Sequence, residues 1–335
     1  MVACLWPFNP YPKNEVWWLR SEPGLEFGDY GTVFSKSNFN GDQRIGACSF
    51  EVWMEPGLTF DSATIFAFYR PVDAGEFKIS QTEDSLGVVR VYPGGSSASD
   101  PDYIAVRHAF RAGVPLLISV ASDGKNAQVY FDGKLIKEAP LELTNHQFSG
   151  EFVFGNSPVE NNTWSGKLRG LAFYGSKLTP QEVLGHYGDW ISGNTKALAI
   201  KDTIALYTFK EGYGALVHNQ FGPGPDLFIP RHYQILHQGF LVPAWKEYAP
   251  TSAYWKDVCE NILGFVPLGF FLCAYGNSRR MMRAGLWTVL FGAALSLVIE
   301  IIQSQLPMRD SSMTDVISNT LCTIAGVLVC VITRI

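Results

Sequence analysis

The spacing of hydrophobic residues changes character once along this chain. From Trp17 to about Phe228, apolar and polar positions alternate over short runs: CSFEVWM, TIFAFYR, LGVVRVY, PLLISVAS and AQVYFDGK. A period of two is the mark of a strand with one buried face. The clusters GG, SDG, DGK and GNSP separate the runs and supply turn residues. Without a long 3.6-residue pattern among them, these segments predict an all-β antiparallel sandwich or jelly roll over residues 15–235. One short helix is predicted at LTPQEVLGHYGDW, with Thr179 as cap and Pro180 in the first position.

From about residue 250 the apolar residues gather into three long runs, which predict helices at 256–275, 284–303 and 313–332 of an α-helical membrane domain over 250–335. A bilayer crossing takes ~20 mostly apolar residues. Ala284 to Ile302 meets this with Glu300 as its one charge. Val316 to Ile332 falls slightly short, and Ser312 to Asp315 supply the missing turn, with Ser312 as N-cap and Asp315 three residues on. Ile262 to Tyr275 crosses if Lys256 to Asn261 form its entering turn and Pro267 is accommodated as a kink.

Each run carries a polar pair near one end: Asp257 with Asn261, Glu300 with Gln303, and Asp315 with Asn319. Spacings of three and four place each pair on one helix face. Three crossings in alternating directions bring all three pairs to one membrane depth. Arg279, Arg280 and Arg283 cluster between the first two runs without an acid, and the positive-inside rule assigns that loop to the cytoplasm. The pairs, the loop QLPMRDSSMTD and everything before residue 250 then face outward. An exported domain needs a signal or an upstream span. The opening MVACLWPFNP has no basic region and no cleavage site, so residues 1–14 are expected to be the tail of a first helix.

Composition narrows the partners. A net charge of -5 leaves no basic surplus, which argues against nucleic acid. The charged fraction of 17% lies below the roughly 25% of soluble domains, with the deficit after Cys259. Of the six cysteines, Cys273, Cys322 and Cys330 lie in apolar runs, Cys259 near one, and Cys4 at the N-terminus. Cys48 alone is inside the β-rich part, so a disulfide framework is not expected. Asp29, Asp42, Asp61 and Asp123 fall in loops, without the compact run of oxygen ligands that calcium favours. His108, His146, His186, His218, His232 and His237 are scattered, with no Ser-His-Asp or metal-ligand spacing. Asn161-Asn162-Thr163 is a formal glycosylation acceptor.

Two resemblances follow from particular residues. GLEFGDYGTVFS, SFEVWM, AQVYFDGKLI and FGNSPVENNTWSGKLRGLAFYGSKLTPQEVLGHY resemble laminin-G-like (LamG, concanavalin A-like) domains. Gly155, Asn156, Trp164, Gly166, Leu171, Tyr174, Leu178 and Glu182 fall where that family's closing segment has them. IALYTFKEGYGALVHNQFG looks like a family strand that in many members comes first, whereas here it follows the helix. The likeness implies a module for carbohydrate or protein binding, often with calcium. DVCENILGFVPLGFFL, SLVIEIIQ and MRDSSMTDVISNTLCTIAG resemble the VanZ-like family of bacterial membrane proteins. The matching positions are Asp257, Asn261, Pro267, Leu268, Gly269, Glu300, Gln303, Arg309, Ser311, Asp315, Asn319 and Gly326. LWPF resembles the end of that family's first helix, which makes the sandwich look like an insertion. The likeness implies a multi-pass protein of the bacterial plasma membrane, linked through the family to resistance against the glycopeptide antibiotic teicoplanin.

The ligand-binding candidates are therefore Asp257, Asn261, Glu300, Gln303, Arg309, Ser311, Asp315 and Asn319. Their structural interpretation is that the aspartates favour helix N-termini, the asparagines bridge helices, and Glu300 pairs with Arg309. Their functional interpretation starts from the number of ionisable groups, which exceeds what packing requires. Arginine suits a phosphate or carboxylate, and a lipid-linked cell-wall precursor at the outer leaflet would supply one. Three alternatives stand: recognition of an envelope glycan, protein or lipid-linked component; an enzyme using Glu300 or Asp315 as acid or base with Arg309 steadying an anion; and a structural anchor.

Overall fold

The computed structural model describes residues 9–40, 46–60, 62–91, 102–244, 252–276 and 281–333, apart from the side chains of 252–258, 260, 281 and 282. Residues 1–8 with their expected helix tail and Cys4, the arginines Arg279 and Arg280, Asp42, Asp61 and the Asp257 side chain lie outside the described residues. The chain divides into two compact units, Pro12–Leu236 and Met1–Tyr11 with His237–Ile335.

The first unit is an antiparallel sandwich. Its early strands are β1 (Val16–Trp18), β2 (Leu25–Phe27), β3 (Val33–Ser35), β4 (Cys48–Pro56), β5 (Ser62–Arg70), β6 (Gly75–Thr82), β7 (Ser85–Val91) and β8 (Asp102–Val106). Then come β9 (Leu116–Ser122), β10 (Asn126–Phe131), β11 (Lys134–Pro140), β12 (Glu151–Phe154), β13 (Gly166–Tyr174), β14 (Thr203–Tyr207), β15 (Leu216–Val217) and β16 (Leu227–Phe228). One sheet runs β1-β2-β13-β4-β9-β10-β11, with β14 also on β13; the other runs β15-β16-β3-β12-β5-β6-β7-β8. The alternating runs of the sequence lie on β4, β5, β7, β9 and β10. Along β4, Phe50, Val52 and Met54 are fully buried between the sheets, opposite Phe173, Leu171 and Leu168 of β13.

Phenylalanine fills that space. Phe39, Phe50, Phe66, Phe68, Phe148, Phe152 and Phe173 are all buried. Their rings meet edge-on or tilted, as in Phe68–Phe152 at 4.9 Å and Phe50–Phe66 at 5.4 Å. Such pairs contribute ~0.5–1.5 kcal/mol beyond their buried area, so ring geometry helps to select one packing.

The segment that follows the helix instead of opening the domain still reaches its place in the sheet. Gly166–Leu168 of β13 pair with β2, and Leu171–Tyr174 pair with β14. The other edge of β13 belongs to β4. The two strands thus share one edge of β13 end to end, and entry from either direction fits the same sheet.

The predicted short helix is α1 (Pro180–Ser192), begun by a reciprocal capping box. Glu182 N donates to Thr179 Oγ1 at 3.3 Å, and Thr179 N donates to Glu182 Oε2 at 2.7 Å. It lies on the outer face of the first sheet, where Val183 and Trp190 pack with Leu117, Tyr130, Ala172 and Leu206 in a second core. A Cβ on Gly170 would run into the Trp190 ring, so glycine is required beneath it.

The second unit contains α2 (Ser252–Tyr275), α3 (Met281–Gln303) and α4 (Met313–Thr333), each starting within a few residues of its sequence expectation. Arg283–Gln303 and Met313–Thr333 are long and apolar enough to cross a membrane, whereas the apolar part of α2, Asn261–Tyr275, is shorter. Pro267 lies inside α2 without ending it. Leu263, Phe271, Leu286, Trp287, Leu321 and Ile332 are exposed on these helices, an apolar exterior suited to lipid. α2 and α4 cross at glycines: a Cβ on Gly326 would strike the Val266 carbonyl, and one on Gly269 the Thr323 carbonyl. Close backbone approach replaces the hydrophobic effect as the source of helix adhesion in an apolar solvent.

Candidate functional site

Several of the candidate residues bond from one helix to another. Asn261 Nδ2 donates to Asp315 Oδ1 at 2.9 Å and to Ser318 Oγ at 3.1 Å, joining α2 to α4. Asn319 Nδ2 donates to Ser296 Oγ at 2.9 Å, joining α4 to α3. Glu300, 1% exposed, accepts the Ser312 N–H on Oε2 at 2.7 Å. Asn319 lies one turn beyond Asp315, ~6 Å along the helix, so the layer has two levels.

Ser312 caps the first turn of α4, as expected. Asp315 N donates to Ser312 Oγ at 3.2 Å. The Asp315 carboxylate also accepts Asn261 Nδ2, and the Ser312 N–H donates to Glu300. The short connection brings the end of α3 beside the start of α4, so an acid of the preceding helix reaches the N-cap residue.

Gln303 ends α3 and is 7% exposed. Ser311 is fully buried; its Oγ accepts Leu241 N at 3.2 Å and its carbonyl accepts Val242 N at 2.9 Å. Met313 N returns a bond to Val242 O at 3.0 Å. Gln238 Nε2 donates to Leu306 O at 3.1 Å and Arg309 O at 2.5 Å. The stretch 238–242 therefore straps the 304–313 connection and positions the backbone that carries Arg309 and Ser311.

Sequence reasoning missed Ser296, Ser318, Gln238 and the 241–242 backbone. Helical spacing would have found the two serines. Ser296, Glu300 and Gln303 recur at four and three residues, and Ser318 and Asn319 lie three and four residues after Asp315. No local signal marks Gln238, whose partners lie some seventy positions away.

The sandwich holds a cleft of about 240 Å³ lined by Asp29, Tyr30, Gln81, Asn161, Thr163 and Ser165, among others. Its walls are held from behind. Trp164 Nε1 donates to Gln81 Oε1 at 3.1 Å. Tyr233 OH donates to Asn161 Oδ1 at 2.6 Å and accepts Asn156 Nδ2 at 2.8 Å. Asn162 N donates to Asn156 Oδ1 at 2.9 Å. These bonds fix the 156–164 loop, so its amide and hydroxyl groups stand preorganised around open space. Asp29 lines this cleft. Asp123 binds its own turn, accepting Lys125 and Asn126 N–H at 3.0 and 2.9 Å. Those backbone donors hold its carboxyl down to about 2. Among the described residues, no group of three His, Cys, Asp or Glu side chains converges as a metal site.

A third cluster lies beneath α1. Glu51 is fully buried. Its Oε2 accepts Trp190 Nε1 at 3.0 Å and Tyr174 OH at 3.2 Å, and lies 3.1 Å from His186 Nδ1. Its Oε1 accepts Ser119 Oγ at 3.3 Å. Burial alone pushes the His186 imidazole down; the hydrogen bond and charge of Glu51 outweigh it, and the pKa is raised. Burial and the same carboxylate push the Tyr174 phenol up. The cluster is closed to solvent, and its evident role is to clamp α1 to the sheet.

Comparison with known proteins gives two family matches in the order read from the sequence. Residues 28–184 match the concanavalin A-like lectin/glucanases superfamily, and residues 206–334 match VanZ/LLP1. No curated protein matches the chain. The binding domain of botulinum neurotoxin DC in complex with rat synaptotagmin II is 12% identical, over 53% of this chain and 46% of that one, with a TM-score of 0.40. The Ruminococcus gnavus IT-sialidase CBM40 bound to α2,3-sialyllactose is 11% identical, over 50% and 97%, with a TM-score of 0.38. A SAP-like pentraxin from Limulus polyphemus is 16% identical, over 52% and 78%, with a TM-score of 0.35. The chain spans about half the length of the neurotoxin domains it matches.

Proposed function

We propose that this is a membrane protein of the bacterial envelope whose sandwich recognises a carbohydrate. One observation carries the reading: the preorganised cleft between Asp29, Gln81, Asn161 and Thr163 in a domain that matches the lectin and glucanase superfamily. Amides, hydroxyls and one carboxylate around an open space complement a polyhydroxylated ligand, and Tyr30 adds an aromatic surface. Rigid donors lose little entropy on binding.

The helical unit takes a second part in this reading. In this reading the layer of Asn261, Glu300, Gln303, Arg309, Ser311, Asp315 and Asn319 lies at the outward end of the helices, and Arg309 takes the anionic head group of a lipid-linked cell-wall component while its neighbours position it. The VanZ match and the density of polar groups support this, as does Arg309, whose guanidinium suits phosphate. The association with glycopeptide resistance belongs to the same proposal. Recognition is favoured over acid-base catalysis, because Glu300 and Asp315 already serve Ser312 and Asn261. The anchor alternative draws on those same bonds.

The test is binding of peptidoglycan-derived and other envelope oligosaccharides to the full-length protein in nanodiscs, with mass spectrometry of co-purifying lipids. Retention of an oligosaccharide that is lost on Asn161→Ala supports the cleft. Absence of any saccharide binding overturns the recognition reading. A lipid-linked species lost on Arg309→Lys supports the helical part, and its absence from the wild type leaves the anchor alternative.

A further inference from the structure

The two sheets of the sandwich end side by side at a second groove. β8 closes one sheet and β11 the other. Lys137 Nζ spans the gap and donates to Ala105 O at 2.7 Å. The groove has a volume of about 530 Å³ and is lined by Tyr103, Ala105, Val106, Arg107, Ile136 and Lys137. None of these residues lines the cleft already described.

Alternation along β8 sets what the groove presents. Tyr103, Ala105 and Arg107 stand two residues apart and share a face, Arg107 one place beyond the strand. Tyr103 is 59% exposed. Arg107 is exposed and has no hydrogen-bond or ion-pair partner among the described residues. An aromatic ring and a guanidinium thus stand ~13 Å apart along the strand, with only the Ala105 methyl between them. Lys137 contributes an ammonium from the opposite wall, with one of its three donors engaged. The neighbouring acids Asp102 and Glu138 are not among the lining residues, and Glu138 accepts Gln128 Nε2 at 3.0 Å.

We propose that this groove binds an anionic saccharide, with the acid group on Arg107 and Lys137 and a sugar face on Tyr103. The inference rests on the reading of the sandwich as a carbohydrate-recognition module and adds to it a separate site and a ligand charge. Guanidinium pairs with a planar carboxylate or a sulfate through two parallel bonds. An exposed tyrosine offers a rigid apolar face with a polar tip. An incoming peptide strand is disfavoured, because strand addition needs the Ala105 carbonyl that Lys137 occupies. The protein as a whole is acidic, so the local pair of cations selects by position and not by bulk charge.

The experiment uses full-length protein in nanodiscs, titrated calorimetrically with an oligogalacturonate, a sulfated oligosaccharide, a neutral oligosaccharide and polyglutamate. At least one of the two acidic saccharides binds, more weakly as salt rises, and the tighter of them identifies the acid group. Arg107→Gln weakens that binding about tenfold or more, since a hydrogen bond to a charged group contributes ~1.5–3 kcal/mol. Tyr103→Ala weakens it too, and neither variant changes neutral-saccharide binding or the melting temperature. Acidic-saccharide affinity unchanged in both variants overturns the proposal. So does polyglutamate binding of equal strength and equal sensitivity to Arg107→Gln, which would make the groove a site for acidic peptide. Neutral saccharides binding while neither acidic one does overturns this inference and leaves the recognition reading standing. Binding of no saccharide overturns both.

Discussion

Glu300 on α3 accepts the backbone N–H of Ser312, the residue that caps α4, at 2.7 Å. Two helices that supply polar groups to one layer are therefore joined through one partly buried bond whose acceptor, Glu300, is 1% exposed. Removing the carboxylate takes that acceptor from the Ser312 N–H. We expect Glu300→Ala to cost about 1–3 kcal/mol, the range for an unsatisfied buried polar group, and Glu300→Gln distinctly less, because its amide oxygen still accepts. Unfolding in mixed micelles followed by circular dichroism measures both. Equal stability of wild type and Glu300→Ala would show that the bond does not register the helices.

The crossing of α2 and α4 depends on Gly326, whose added Cβ would meet the Val266 carbonyl. Backbone cannot rotate away as a side chain can. Gly326→Ala should lower stability by about 1–3 kcal/mol, the usual cost of overpacking. Gly264→Ala on the same helix pair is the control, because nothing lies within 4 Å of a Cβ there. A neutral Gly326→Ala in the same micelle assay would mean that the helices cross elsewhere.

The clamp on α1 should make sandwich stability depend on pH. His186 faces Glu51 of β4, Tyr174 of β13, and Glu182 and Asp189 of its own helix. Its folded pKa is raised above 6.5, so its contribution is complete below pH 6.5 and fades as pH climbs through the raised folded value. Breaking a buried pair by removing one partner costs about 3–5 kcal/mol. His186→Asn should therefore be destabilising at pH 6, less so at high pH, and should flatten the pH profile of the sandwich melting transition. An equal loss at every pH would contradict a charged pair.

Tyr233 joins Asn156 to Asn161 behind the cleft. Tyr233→Phe removes only the hydroxyl and takes one partner from the buried Asn156 amide, at about 1–3 kcal/mol, while Asn161 at the cleft loses the bond that holds it. The 156–164 loop should then exchange amide hydrogens faster, and saccharide binding should weaken while the fold persists. Unchanged exchange in that loop would separate Tyr233 from the cleft.

Orientation is tested with single cysteines in a background whose native cysteines are replaced by serine. Gln305→Cys, in the exposed connection before α4, should react with an impermeant thiol reagent in intact cells. Ser278→Cys, next to Arg279 and Arg280 in the sequence, should not. The reverse pattern would place the polar layer at the inner face.

Much of the fold was legible because it is written in local periods. Alternation marked β4, β5, β7, β9 and β10, and Thr179-Pro180 marked the start of α1, since caps and strand faces depend on neighbours within four residues. The long apolar runs marked α2 to α4 for the same reason. The polar layer was legible only as a set of helix faces. Its partners were decided by the tertiary structure: Asp315 binds Asn261 of another helix, and Glu300 of a third serves Ser312.

Glu51 shows the same division more sharply. By alternation it belongs on the solvent face of β4, opposite Phe50 and Val52, and the sequence gives no reason to bury it. It is fully buried because α1, more than a hundred residues later, lies over that face and brings His186 and Trp190 to its carboxylate. The sequence by itself determined which residues form strands, helices and caps, because those depend on short-range sterics and hydrogen bonds. Only the tertiary structure decided which charges meet, which edges border a groove and which loops are held rigid, because those depend on contacts between residues that the chain keeps far apart.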